Sequence, residues 1–185
     1  MGKSHDLATL SDDGISNLKV DTIKSTGGTT AMTVDSSGRV LRSVLPAWRI
    51  GLSNQQNETS SGTHKVTFDT TSGDNLFLQG GVTLSSGTIT VPVAGLYKLG
   101  STIRIDAVSS SYYIVSYIRK NQNADNSSDS YALVDDHGSS YHSLTVNDLY
   151  QCQAGDELEC YINVQSDSSW HIEPYTAHFN GHLVG

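Results

Sequence analysis

Two histidines near the end of the chain stand four residues apart in the run His178-Phe179-Asn180-Gly181-His182-Leu183. In an extended strand, residues of one parity share a face. His178, Asn180 and His182 therefore point one way, and Phe179, Gly181 and Leu183 the other. The two imidazoles are about 13 Å apart along such a strand, too far to share one ion within a chain. A metal site would need copies of one imidazole from several chains. The plainer expectation is a polar row at an interface or in solvent, with no metal.

Cys152 and Cys160 are the only thiols. Two are too few for a disulfide scaffold, and neither a Cys-x-x-Cys spacing nor a nearby His supports zinc or redox chemistry. Buried free thiols acting as small hydrophobes and a single cross-strand disulfide both fit. Three loops pair serines with aromatics: Ser109-Ser110-Ser111-Tyr112-Tyr113, Ser139-Ser140-Tyr141-His142 and Ser168-Ser169-Trp170-His171. Rigid aromatic area beside adaptable hydroxyls suits recognition, so Tyr112, Tyr113, Tyr141, Trp170 and His171 are candidate receptor or glycan contacts. Each aromatic could instead simply begin a core strand. Acidic oxygens gather in 123–129 and 135–137, but not at EF-hand spacing, which favours solvated loops. No Gly-x-Ser-x-Gly, phosphate-binding loop or His-Glu-x-x-His occurs. The expectation is a non-enzyme with no catalytic residue and no cofactor.

The elements that must position these residues follow from composition. Of 185 residues, 27 are Ser, 17 Thr and 17 Gly, with only 3 Pro. That bias suits short strands joined by tight turns and not a helical bundle. The net charge of -8 argues against nucleic acid, whose binding needs clustered cations. No apolar run approaches the roughly 18 residues of a membrane span, and residues 1–10 lack the apolar core of a secretion signal.

The chain divides near Pro46. Residues 1–45 contain no aromatic and read as an extended arm of short strands that gains burial only against a partner. Leu7, Leu10, Ile15, Leu18, Val20 and Ile23 are its candidate docking residues. From residue 46 to 185 strand signals are dense: 47–52, 65–69, 76–78, 82–84, 88–91, 95–106, 112–122, 130–134, 141–150, 157–165 and 171–184. Leu99, Ser101, Ile103 and Ile105 alternate with Lys98, Gly100, Thr102 and Arg104, with Ser101 breaking an otherwise apolar row. The expected fold is all-β, a jelly-roll sandwich.

Four stretches carry a resemblance. They are Pro46-Ala47-Trp48-Arg49-Ile50, Gly87-Thr88-Ile89-Thr90-Val91-Pro92-Val93-Ala94-Gly95-Leu96-Tyr97, Gln151-Cys152-Gln153-Ala154-Gly155-Asp156-Glu157-Leu158, and His178-Phe179-Asn180-Gly181-His182-Leu183-Val184. In this order and spacing the segment resembles the globular head of the C1q/tumour-necrosis-factor superfamily of trimeric jelly rolls. It lacks the collagen stalk, and Asn180 stands where the family usually has Ser. The resemblance implies a homotrimer whose opening and closing strands lie near the threefold axis. Trp48, His178, Phe179, Asn180 and His182 are then interface candidates, and Cys152 and Cys160 take apolar core positions.

The arm, from Leu18-Lys19-Val20-Asp21-Thr22-Ile23 through Ser37-Gly38-Arg39-Val40, is similar to a segment of tail-fibre and other structural proteins of marine and cyanobacterial phages. Together the two resemblances imply a trimeric phage virion surface protein, made in the host cytoplasm. It would be a short fibre or a capsid decoration protein. The arm would dock to other virion proteins of capsid or tail, and the head would face outward toward a host-surface receptor or glycan. The competing expectation is a free C1q-like lectin or ligand.

Overall fold

The computed structural model describes residues 22–24, 26–28, 30–42, 45–108, 113–122, 130–135, 141–165 and 167–184. The chain forms two compact units, 1–44 and 45–185.

In the first unit, β1 (Thr22–Lys24), β2 (Thr30–Val34) and β3 (Val40–Leu41) pair antiparallel in the order β1-β2-β3. The turn into β3 is closed by the Asp35 carboxylate, which accepts from the backbone N–H groups of Ser37 and Arg39, each at 2.9 Å. Arg39 Nε adds a further bond to it at 2.7 Å. Gly38 supplies the positive φ (78°) that this tight turn requires. None of the described side chains of this unit is buried, and Ile23 and Val40 are about half exposed. A short three-stranded ribbon with no buried side chain among its described residues has little to hold it on its own. Of the docking residues expected from sequence, Ile23 lies in β1; Leu7, Leu10, Ile15, Leu18 and Val20 fall outside the described residues.

The second unit is a sandwich of antiparallel strands with no helix among its described residues. Its strands are β4 (Ala47–Gly51), β5 (Gln56–Glu58), β6 (Gly62–Lys65), β7 (Phe77–Gln79), β8 (Thr83–Ser85), β9 (Thr88–Thr90) and β10 (Gly95–Asp106). They continue with β11 (Tyr113–Lys120), β12 (Ser130–Asp135), β13 (Tyr141–Cys152), β14 (Glu157–Val164), β15 (Trp170–Ile172) and β16 (His178–Leu183). One sheet runs β5-β15-β10-β16-β4-β7, with β13 also on β10. The other runs β12-β11-β14-β9-β8, with β6 also on β14. The first and last long strands of the unit, β4 and β16, are thus neighbours near the middle of one sheet.

Period-two alternation dictates what each face buries. Tyr97, Leu99, Ser101, Ile103 and Ile105 of β10 all point inward, and Ile114, Ile118, Leu158, Cys160, Ile162 and Val164 answer from the opposite sheet. Three aromatics knit the β4–β16 side: Trp48 meets Phe179 edge-on at 5.7 Å, and Phe68 stacks on Phe179 at 6.3 Å. Such pairs add specificity to the area they bury. Tyr150 crosses the sandwich and donates its hydroxyl to the Ile118 carbonyl at 2.6 Å.

Two departures from the sequence expectation have physical causes. The run 171–184 is two strands, because Pro174 has no N–H to give to a ladder; a turn forms there, with Ala177 N–H donating to the Glu173 carbonyl at 3.2 Å. Strand β5 is Gln-Asn-Glu, with no apolar residue to announce it; it exists by pairing Gln56–Glu58 against Trp170–Ile172.

Candidate functional site

Because the odd residues of β10 fill the core, its even residues face away from it, and they set three polar rows across the sheet. In the central row Gly100 lies between Asn147 of β13 and Asn180 of β16, and Asn180 is paired in turn with Arg49 of β4. A Cβ on Gly100 would stand 2.8 Å from Asn147 Oδ1 and 3.1 Å from Asn180 Nδ2. The two amides therefore close over a bare stretch of backbone. Neither side chain hydrogen-bonds to a described residue, so their donors and acceptors remain available. On one side lies Thr145–Thr102–His178, where the two threonine hydroxyls are 3.2 Å apart. On the other lies Leu149–Lys98–His182–Ala47, with Leu149 half exposed.

At the far end of β10 the same face carries an ionic cluster. Arg104 grips both oxygens of Asp106 as a fork, Nε to Oδ1 at 2.8 Å and Nη2 to Oδ2 at 2.9 Å. This bidentate pairing raises the Arg104 pKa further above its ordinary value. Asp106 stands between Tyr141 on β13 and His171 on β15. The guanidinium lies 5.1 Å from the centre of the Tyr141 ring, within cation–π range. His171 Nε2 is 3.1 Å from Glu173 Oε1. Asp106, His171 and Glu173 offer ligand atoms within 4.8 Å of one another. Arg104 already holds both Asp106 oxygens, so the group is built as an ion-pair network and not as a cation cage.

Of the aromatic contacts expected from sequence, the fold brings Tyr141 and His171 together across Asp106. Tyr113 lies on β11 in the opposite sheet, and Tyr112 falls outside the described residues, as do 123–129 and 136–137. Trp170 corrects its expectation: it is 2% exposed, edge-on to His64 at 5.3 Å, with its indole N–H donating to the Ser60 carbonyl at 3.3 Å. It begins a core strand and presents no surface to a ligand. Trp48 and Phe179 correct theirs in the same way. They are 1% and 0% exposed and belong to the chain's own core, because their parity points them inward. His178, Asn180 and His182 lie on the opposite face, as the alternation required. Cys152 and Cys160 are free and buried, on β13 and β14 in different sheets.

Arg104 and Asp106 were absent from the candidates, although opposite charges two apart on an alternating strand are a readable signal. Glu173 was not readable, since its position depends on the turn at Pro174. The same turn raises Tyr175, which is 94% exposed.

No protein-family model matches the chain, and no curated protein matches it. Solved structures do. Murine APRIL crystallised at pH 5.0 superposes with a TM-score of 0.56 at 12% identity, over 76% of this chain and 99% of that one. Murine APRIL at pH 8.0 gives a TM-score of 0.55 at the same identity and coverage. The sandwich is a tumour-necrosis-factor-like jelly roll. At this identity the likeness establishes the fold alone.

Proposed function

We propose that this chain is a phage virion structural protein, a homotrimeric surface appendage of the short-fibre or capsid-decoration kind. The tumour-necrosis-factor-like head faces outward to a host-surface receptor or glycan, and the arm docks to other virion proteins. The observation that carries this reading is the two-unit organisation. A β-ribbon with no buried side chain among its described residues, and half-exposed Ile23 and Val40, shares a chain with a head that has a complete core. Such a ribbon gains stability by covering its apolar positions against something else. The amide row Asn147–Gly100–Asn180 supports self-association through β10, β13 and β16. Its two neutral amides, without a hydrogen bond to a described residue, stand over a glycine with no side chain, which suits close approach of a second copy.

Immunogold electron microscopy of purified virions tests the location. Label on the particle, lost when residues 1–45 are deleted while the head still folds, is the expected result. A head found free of particles, and binding its ligand equally well without the arm, would replace this reading with a free lectin-like protein. Sedimentation equilibrium tests the trimer: the wild type should run at three times the chain mass and a Gly100→Asp variant at the monomer mass.

A further inference from the structure

Beside β4 the face turned from the core opens into a groove of about 490 Å³, within the range of roughly 300–1,000 Å³ typical of small-ligand clefts. One wall is the loop before β7. There Ser72 N–H donates to Thr70 Oγ1 at 3.0 Å and Leu76 N–H to the Gly73 carbonyl at 3.3 Å. The other wall is the Pro174 turn, with Tyr175 at its rim. Arg49, Asp74, Leu76, Tyr175 and His178 line the space over Gly51. The floor is tight, since a Cβ on Gly51 would come within 3.3 Å of Leu76 Cδ1.

The polar groups of this groove are underused. Arg49 is half-buried, yet its guanidinium has no ion pair or hydrogen bond with a described residue. Asp74 shares the groove, exposed and unpaired with it. His178 Nδ1 is 3.2 Å from the Thr176 carbonyl. Only an N–H can satisfy that oxygen, so neutral His178 keeps Nε2 as an acceptor. Burial, then the Arg49 charge, push the His178 pKa below the ordinary histidine value against the pull of Thr176. At neutral pH the groove thus holds a guanidinium outside any ion pair with a described residue, the Asp74 carboxylate and His178 Nε2 as acceptors, and one exposed aromatic ring.

That set narrows the ligand. A guanidinium with five free donors matches a carboxylate bidentately. An exposed Tyr ring offers its face to the C–H side of a sugar. Asp74 and His178 Nε2 accept hydroxyl hydrogens. An extended peptide fits poorly, because the floor backbone is already paired: Gly51 N–H donates to the Thr70 carbonyl, and Asp69 N–H to the Gly51 carbonyl, both at 3.0 Å. No open strand edge remains there for a peptide to join.

We propose that the Arg49–Asp74–Tyr175–His178 groove binds a carboxylated sugar of the uronic acid class, with Arg49 on the carboxylate and Tyr175 stacked on the ring. This rests on the reading that the head recognises a host-surface glycan, and it names the site and the sugar chemistry.

The test titrates the intact protein with glucuronic acid and with glucose by saturation-transfer NMR, alongside binding to intact host envelopes. Glucuronic acid should bind about tenfold tighter or more than glucose, the scale of a charge-assisted hydrogen-bond pair. Arg49→Lys should erase that preference. Tyr175→Ala should weaken both sugars while leaving the thermal midpoint unchanged, since its ring is exposed. Equal binding of the two sugars, or an Arg49→Lys protein that keeps the preference, overturns the carboxylate assignment. Envelope binding that persists in both variants overturns the groove but leaves the glycan reading standing. Wild-type protein that binds no envelope overturns the glycan reading itself. An Arg49→Lys change that alters sedimentation and not sugar binding would make the groove a contact between copies.

Discussion

Trp48 and Gly181 face each other across the β4–β16 pairing, and the indole fills the space that a side chain at 181 would need. A methyl there would stand 2.5 Å from Trp48 Cη2 and 2.9 Å from Leu99 Cδ2. The demand for glycine is one of packing, since Gly181 is not among the positive-φ residues. Gly181→Ala should therefore destabilise the head by about 1–3 kcal/mol, the usual cost of overpacking a dense core. In urea titrations the midpoint should fall with an unchanged slope. Trp48→Phe in the same background should recover part of the loss, because the smaller ring leaves room; strict additivity of the two substitutions would refute the steric explanation.

Trp170 makes a second case in which burial decides the outcome. Trp170→Ala removes a core aromatic, its edge contact with His64 and its bond to the Ser60 carbonyl. The expected cost is about 3–5 kcal/mol, read as a large drop in thermal midpoint. Tyr141→Ala, at a position 61% exposed, should leave the midpoint nearly unchanged. A Trp170→Ala protein of wild-type stability would restore that residue as a surface contact.

These contrasts show what the sequence could carry. Strand β10 is legible to the residue, because the run from Lys98 to Ile105 alternates with Ser101 as its one polar inward position, and a Gly and an Asp bound the strand. The facing of His178, Asn180 and His182 followed from the same period. The interface assignment of Trp48 and Phe179 rests on the resemblance, which places the opening and closing strands near the threefold axis as whole strands; parity separates these two inward residues from the outward His178, Asn180 and His182. Trp170 misled for a related reason: serines before it mimic a loop, while its burial depends on His64, more than a hundred residues away. Tyr175 and Arg49 gave no local signal at all. Their groove is assembled by a turn, a strand and a loop that only the fold brings together.

The two cysteines should be chemically silent in the native protein. Burial pushes the Cys152 thiol up to about 11, with Lys120 opposing that shift, and burial raises Cys160 further still. Thiolate is the reactive form, so iodoacetamide at neutral pH should label neither residue in the folded protein and both in denaturant. Intact mass without reductant should show two free thiols. Rapid labelling of either one under native conditions would mean that its strand opens locally on the experimental timescale.

The buried carboxylate of Glu159 gives the head a predictable response to acid. Its side chain is 1% exposed, and Lys65 Nζ meets Oε1 at 2.5 Å. Thr88 Oγ1 donates to Oε1 and the Tyr161 hydroxyl to Oε2, each at 2.7 Å. Burial alone would raise the Glu159 pKa, but the bonds from Lys65, Tyr161 and Thr88 outweigh it and the net shift is downward. A carboxylate with a depressed folded pKa contributes stability that is fully present above the unfolded value, about 4.3 for glutamate. That contribution is lost as pH falls through the folded value. The stability gap between wild type and Glu159→Gln should therefore be constant near neutrality and shrink in the acid range, as followed by urea midpoints at successive pH values. Lys65→Met should cost on the order of 3 kcal/mol at pH 7, because it strands a buried charge. Adding Glu159→Leu to it should recover much of that loss, since an apolar pair needs no compensation. If the double variant is as unstable as Lys65→Met alone, the cost lies in packing around β14 and not in the unpaired carboxylate.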